Sequence, residues 1–403
     1  MNRSQLLPIS LIVAVDVLGL TLVIPLLPFY AEKYGASPSV VGLLVSAYAF
    51  FQLVSGPILG QLSDRYGRKP ILIISQIGTF LGFILLARAS MLWMIFLSRI
   101  IDGATAGNLS VAQAYIADVT KPEDRAKSFA IIGIAFGLGF LVGPAASGYL
   151  AHYGIHYPIY AAAGLSLLSI ILTVLILREP AKHADEVEER KLGLFEILSY
   201  RKDFQNPKIK STLYQFCAFF MAFSIFIAGF ALFAERRFLS GGHPFGPREV
   251  GYLFAYSGFL GILIQGGLVG RIVKKFGEDR VVVFSFVCAT IGYSILAYAH
   301  TVPIVMLSAT FSAFGGGVLR PALTSLISRQ SPASQQGRVM GLIQSLNSVS
   351  SILGPILSGL LIDRAWFHAW AFSMALASVA GLTINLRTRH LRNRSETAFA
   401  IVD

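Results

Sequence analysis

Residues 60–70 read Gly60-Gln61-Leu62-Ser63-Asp64-Arg65-Tyr66-Gly67-Arg68-Lys69-Pro70, a tight basic turn between two long apolar stretches. Crossing a hydrocarbon core takes about 20 apolar residues per helix. Both flanks are long enough, so the turn sits at a membrane face.

The same reading along the chain gives twelve apolar stretches, near 6–30, 39–62, 70–88, 91–117, 127–150, 158–177, 211–234, 249–270, 280–299, 303–327, 338–361 and 367–386. Backbone polar groups cannot be left unpaired in lipid, so these stretches are helices. Barrel strands would alternate in polarity every second residue, and these do not. Composition agrees: mean hydropathy is +0.66 and charged residues make up 13%, against about 25% in soluble domains. The expected class is an all-α membrane protein. The first stretch is too long for a removed signal peptide and lacks a small-residue cleavage site, so it reads as a retained helix.

The net charge of +12 invites a nucleic-acid reading, but its distribution excludes one. With a cytoplasmic N-terminus, 25 of the 33 Lys and Arg fall in cytoplasmic segments, six fall outside, and Arg99 and Arg320 fall within spans. That asymmetry places both termini in the cytoplasm. The basic tail, Arg387, Arg389, Arg392 and Arg394, reads as a stop-transfer anchor near anionic lipid.

The one long polar segment, about 178–210, divides six spans from six. The expected organisation is a six-helix bundle over 1–178, a cytoplasmic linker over 179–210 carrying a short surface helix, a second bundle over 211–390, and a tail over 391–403. The halves repeat. Gly143-Pro144-Ala145-Ala146-Ser147-Gly148 recurs as Gly354-Pro355-Ile356-Leu357-Ser358-Gly359, and the basic turn recurs more loosely from Gly270 to Arg280. The two offsets, 211 and 210 residues, are nearly equal, which indicates duplication. Such pseudo-symmetric halves hold a substrate site between them near the midplane.

A charge at bilayer depth costs about 2.5–3.5 kcal/mol on insertion scales, so each needs a partner or a task. Four are expected to be deep: Asp16, Arg99, Asp102 and Arg320. Arg99 and Asp102 are three apart and share a helix face. Polar residues within spans, Gln52, Asn108, Gln113, Gln215, Gln344 and Asn347, and aromatic residues such as Tyr48, Phe216, Phe219 and Phe220, offer anchors and walls for an amphipathic ligand. The competing reading makes them packing and interhelix hydrogen-bonding residues. Gly139, Gly143 and Pro144 remove bulk and a backbone donor, allowing close packing and a bend. Cys217 and Cys288 read as core thiols. No Walker A sequence is present, the histidines lack metal spacing, and neither an enzyme, a metal nor a cofactor is expected.

The whole chain resembles the major facilitator superfamily, and within it the twelve-helix drug:H+ antiporters, the tetracycline/H+ antiporters in particular. The carriers of the likeness are the 60–70 turn, Asp16-x-x-Gly19 with Pro25-Leu26-Leu27-Pro28, Leu97-Ser98-Arg99-Ile100-Ile101-Asp102-Gly103, Ala114-Tyr115-Ile116-Ala117-Asp118, Gly139-x-x-x-Gly143-Pro144, Gly315-Gly316-Gly317 and Pro321-Ala322-Leu323. The resemblance implies a twelve-helix major facilitator fold with a cavity lined by helices 1, 4, 7 and 10. It also implies gating by Asp64, Arg65, Gly67, Arg68 and Asp118, with Asp64 meeting the start of helix 11. Where tetracycline exporters carry acids in helices 3 and 9 and a histidine in helix 8, this chain has Gly82, Ala289 and Gly261. It carries Asp102 and Arg320 instead.

The expected function is proton-coupled export of amphipathic small molecules or drugs across a cytoplasmic (inner) membrane, by a multi-pass monomer surrounded by lipid. Proton coupling is expected at Asp16, Arg99 and Asp102, with Asp16 as the proton site poised by Arg99. Tyr48, Gln52, Asn108, Gln113, Gln215, Phe216, Arg320, Gln344 and Asn347 are the expected substrate contacts. One rival is an exporter or symporter of an organic anion or zwitterionic metabolite anchored by Arg99 and Arg320. A second is a transporter-like receptor that moves nothing.

Overall fold

The computed structural model describes residues 3–120, 125–180, 206–331 and 336–399, and its long elements are all helices. The linker expected over 179–210 lies mostly outside these residues, as do the last four residues of the tail. In order come α1 (Arg3–Val23), α2 (Leu27–Lys33), α3 (Pro38–Tyr66), α4 (Arg68–Ala87), α5 (Leu92–Ala104), α6 (Asn108–Val119), α7 (Arg125–Ala151) and α8 (Tyr157–Leu175). Then follow α9 (Pro207–Arg237), α10 (Pro247–Leu263), α11 (Val269–Phe276), α12 (Glu278–Ala297), α13 (Val302–Gln330), α14 (Gln336–Asp363) and α15 (Phe367–Phe399). A wide π turn, Ile264–Leu268, joins α10 to α11.

Eleven segments among the described residues are long and apolar enough to cross a membrane, one fewer than the sequence leads one to expect. The difference lies in the 91–117 stretch, which is two short helices, α5 and α6, separated at Thr105–Gly107. Local hydrogen bonding explains the break. The Gly103 carbonyl accepts from the Ser55 hydroxyl of α3 at 2.8 Å, and the Gly107 amide folds back on the Thr105 carbonyl at 2.7 Å. Gly103, Gly78 and Gly107 leave room for this. A Cβ on Gly103 would sit 2.6 Å from the Tyr48 carbonyl oxygen, and one on Gly78 would collide with the Thr105 side chain. The 6–30 stretch is also interrupted, at Ile24–Leu26, because Pro25 lacks an amide hydrogen and disfavours helix in the residue before it.

Cα packing divides the chain into two compact units: Met1–Glu196 with Phe230–Phe259, and Ile197–Gly229 with Leu260–Asp403. The first has a core of Ile9, Ile12 and Val13 on α1 against Leu72 on α4 and Val111, Tyr115 and Ile116 on α6. The second packs Phe216 and Phe220 of α9 on Phe286, Leu319, Leu323 and Val339. Cys288 is buried there and Cys217 is half-buried, and both are free thiols. Many large apolar side chains face outward, Leu7 at 75% exposed and Leu376 at 70% among them. A water-soluble surface does not carry so much exposed apolar area, whereas lipid is its natural solvent.

Within the first unit α7 is pressed between two neighbours. A Cβ on Gly139 would meet Val17 at 2.7 Å, and one on Gly143 would collide with Thr21, so α7 lies directly on α1. On another face, Gly251 and Gly258 of α10 approach the Pro144 and Phe140 carbonyls so closely that neither has room for a Cβ. The glycines read from sequence as close-packing residues therefore bring α7 against the helix that carries Asp16.

Candidate functional site

Asp16 lies half-buried on α1. Its carboxyl is faced by the Ser169 hydroxyl of α8, the Gln76 amide of α4 and the Asn108 amide at the start of α6, with Asp102 nearby. Gln76 Nε2 donates to Ser169 Oγ at 2.8 Å, which ties α4 to α8. Two buried acceptors in this ring, Gln76 Oε1 and Asn108 Oδ1, have no donor among the described residues. A carboxylate has no proton to offer them, whereas a protonated Asp16 carries an O–H. Sequence reading singled out Asp16 and Asn108 but missed Gln76 and Ser169, though Gln76 stands alone as an amide in the apolar run of α4.

Arg99 is not the partner of Asp16. It pairs along its own helix with Asp102, Nη1 to Oδ2 at 3.2 Å, both side chains only 4% exposed. Its guanidinium lies 5.6 Å from the Phe83 ring centroid, and Arg99 Nη2 is buried without a partner among the described residues. Thr79 faces the Asp102 carboxyl. Tyr48 lies close to the pair and accepts from Gln52 Nε2 at 3.1 Å. A Cβ on Gly82 would come within 3.2 Å of the Asp102 Cβ, so the glycine makes room for this acid. Asp16, Tyr48, Gln52, Arg99, Asp102 and Asn108 thus come together in the first unit, on α1, α3, α5 and α6. Gln113, on α6, is exposed.

The second unit separates the remaining candidates. Gln215 is 2% exposed, donates to Ser211 Oγ at 3.2 Å and accepts from Asn385 Nδ2 at 3.0 Å. Phe216 is 1% exposed and stacks on Phe220 at 5.6 Å. Both are buried in the packing between helices in this structure. Arg320 is exposed on α13, with no carboxylate partner among the described residues. On α14, Gln344 is exposed and Asn347 half-buried.

The basic turn is built around Gly67, whose φ of 106° few other residues adopt. Arg68 sits between two carboxylates, Asp64 one turn back and Asp118 at the end of α6, with Nε to Asp118 Oδ2 at 2.7 Å. Arg65 lies over the Tyr66 ring at 5.4 Å. The residues at the start of helix 11, expected to meet Asp64, lie outside the described side chains. Glu179, not singled out from sequence, accepts from the Arg68 and Lys69 amides at 2.5 and 2.9 Å. It places negative charge at the positive end of α4.

The second half repeats this arrangement with charges exchanged. Gly277 has φ 76°, and Glu278 stands where Arg68 stands 210 residues earlier. Its partner, Arg329 at 2.9 Å, stands 211 residues after Asp118. Here the acid begins the helix itself, so no counterpart of Glu179 is needed. Arg68 is 15% exposed between its carboxylates, whereas Arg329 is 72% exposed. Arg68→Glu leaves two carboxylates without their cation and adds a third acid, so it should cost about 1–3 kcal/mol. Glu278 is itself 18% exposed, but the Arg329 it would leave is free to turn to solvent, so Glu278→Arg should cost under about 1 kcal/mol. Thermal melting in detergent would show the difference, and equal losses would contradict this account.

A family model described as Major Facilitator Superfamily matches residues 9–274 and 242–400. The class B tetracycline resistance protein of Escherichia coli is 30% identical over 94% of this chain and 93% of its own length. Multidrug resistance protein 2 of Bacillus subtilis is likewise 30% identical, with 93% of each covered. Among solved structures, the human organic anion transporter MFSD10 superposes with a TM-score of 0.72 at 21% identity, covering 95% of this chain and 99% of that one. The nucleoside transporter NupG gives 0.75 at 16% identity, covering 95% and 99%.

Proposed function

The chain belongs to the Major Facilitator Superfamily, and we propose that it exports amphipathic small molecules in exchange for protons. It is a multi-pass membrane transporter and not an enzyme. In this reading α5 and α6 make one broken crossing, giving twelve, with both termini cytoplasmic. The monomer sits in the lipid of a bacterial inner membrane, the setting its relatives' bacterial sources favour. Six-helix halves over 1–178 and 211–390, joined by the 179–210 linker, alternate access.

The observation that carries proton coupling is the ring around Asp16: a carboxyl with no cation against it and two buried acceptors lacking a donor among the described residues. A proton on Asp16 supplies one O–H donor, enough for one of the two amide oxygens once that amide turns it inward, and removes the charge from the hydrocarbon depth, which favours the loaded state. Cargo reaching Asn108 disturbs a hydrogen bond to Asp16 directly, and cargo at the adjacent Tyr48–Gln52 pair disturbs the surroundings of Asp102, so proton and cargo compete. Asp102, already paired with Arg99, sets the field beside Asp16. Asp64, Arg65, Gly67, Arg68 and Asp118 act as the gate, and Gly139, Gly143 and Pro144 let α7 slide and bend on α1.

The test uses purified protein in liposomes with an acidic interior and a panel of amphipathic fluorescent xanthene dyes outside. Proton-coupled export predicts dye accumulation that a protonophore abolishes. Movement that ignores the pH gradient, or no movement of any dye, would sink the proposal.

A further inference from the structure

A charged side chain exposed far inside a membrane helix cannot face lipid without heavy cost, so it faces water or a ligand. Arg320 is such a residue. It lies ten residues before the end of α13 at Gln330, about 15 Å along the axis, and it is exposed with no acid beside it among the described residues. In the other deep cluster Arg99 is sealed against Asp102 and Phe83. Of these two deep cations, Arg320 has its charge available.

A second polar group reaches the same region from the neighbouring helix. Gln265 belongs to the π turn Ile264–Leu268, eleven residues before Phe276 and so about 16 Å from the end of α11. Its Nε2 lies 4.0 Å from where a Cβ on Gly317 would be, and Ile264 lies 3.5 Å from that point. The amide therefore rests on α13, one turn from Arg320 and at matching depth. π turns push a residue out of register and widen a helix locally, and they recur at functional sites. Here the widened turn carries Gly266 and Gly267, with open space beside both. Phe219 of α9 comes within 3.8 Å of a Cβ on Gly316 and supplies an aromatic wall. Cation, amide donor, bare backbone and ring all belong to the second unit.

We infer that Gln265 and Arg320 form a subsite for a carboxylate group on a cargo whose flat body lies on Phe219. Arginine is suited to this task because its planar fork donates two parallel hydrogen bonds to such a group. The Gln265 amide adds a neutral donor that fixes orientation. The inference rests on the transport reading and narrows its cargo to amphipaths bearing a negative group.

The test separates binding from coupling. Two probes are used on purified full-length protein, a xanthene dye with a free carboxylate and the same dye as its methyl ester. Fluorescence polarisation measures affinity, and proton-driven accumulation in liposomes is measured in parallel. Wild-type protein is expected to bind the carboxylate at least about tenfold more tightly, about 1.4 kcal/mol. Arg320→Gln should abolish that preference while leaving ester binding unchanged, and Arg320→Lys should retain part of it. Gln265→Ala should weaken carboxylate binding severalfold. A wild type that binds neither dye or favours the ester overturns the subsite, as does an Arg320→Gln protein that melts normally and keeps the preference. If carboxylate-selective binding is seen without proton-driven accumulation, the transport reading fails while the subsite stands.

Discussion

Asp16→Asn is expected to abolish uphill transport while leaving downhill movement of dye intact. An asparagine keeps the size and hydrogen-bonding capacity of a protonated carboxyl but cannot release a proton. The side chain is thus fixed in an uncharged form that offers N–H donors to a ring in which Gln76 Oε1 and Asn108 Oδ1 lack one among the described residues. The carrier should fold, bind and exchange dye, yet gain nothing from a pH gradient. One proton exchanged per neutral cargo across one pH unit supports about tenfold accumulation, since one unit is worth about 1.36 kcal/mol. Accumulation by the variant should fall to the level outside, whatever gradient is imposed. Asp16→Glu keeps the titratable group on a longer stem and should retain part of the gradient. Uphill accumulation by Asp16→Asn at the wild-type ratio would remove Asp16 from the mechanism.

How much of this was legible in the sequence depends on what each signal reports. The helices were readable because lipid demands long apolar runs, and family motifs at a near-constant offset pointed to the duplicated fold. What hydropathy cannot see is a break inside a run that stays apolar. Thr105–Gly107 interrupts α5 and α6 where Ser55, some fifty residues earlier, takes the Gly103 carbonyl and the Gly107 amide turns to Thr105 instead. The deep charges were found because each is rare in such a stretch, and the three-residue spacing of Arg99 and Asp102 already put that pair on one helix face. The further tie of Arg99 to Asp16 is what the structure does not form. Asp16 and Arg99 looked like natural partners by sign, whereas the i, i+3 geometry of α5 gives Arg99 to Asp102. Gln215 and Phe216 show the limit for uncharged candidates, since an amide or a ring on a span has the same composition whether it lines a cavity or locks two helices. Their burial here, with Asn385 holding Gln215, places both in helix packing. The exchanged pair Glu278–Arg329 was hidden because a repeat search scores identity, and this element keeps position while reversing sign.

The largest expected stability effect belongs to Arg99 and Asp102. Both side chains are 4% exposed, so removing one charge leaves the other in a low-dielectric site with no compensation. Breaking such a pair typically costs about 3–5 kcal/mol, whereas replacing both partners by apolar groups of similar volume is often neutral or stabilising. Asp102→Ala should therefore melt far below wild type, and Arg99→Met should be nearly as poor. The double variant Arg99→Met with Asp102→Leu should recover most of the lost melting temperature, because methionine can keep the contact with Phe83 and no orphan charge remains. Two obstacles limit full recovery: Tyr48 and Thr79 lose polar neighbours, and Gly82 leaves little room for a bulkier side chain at 102. The decisive comparison is with transport. If the pair only fastens α5 in place, the double variant should carry dye as well as it folds. If the Asp102 charge sets the field at Asp16, stability returns but the pH dependence of uphill transport moves, since a neighbouring charge alters how readily a carboxyl parts with its proton. The measurement is dye accumulation in liposomes across a series of pH values with the gradient held constant, wild type beside the double variant. A double variant with wild-type stability and an unshifted profile would assign the pair to structure alone.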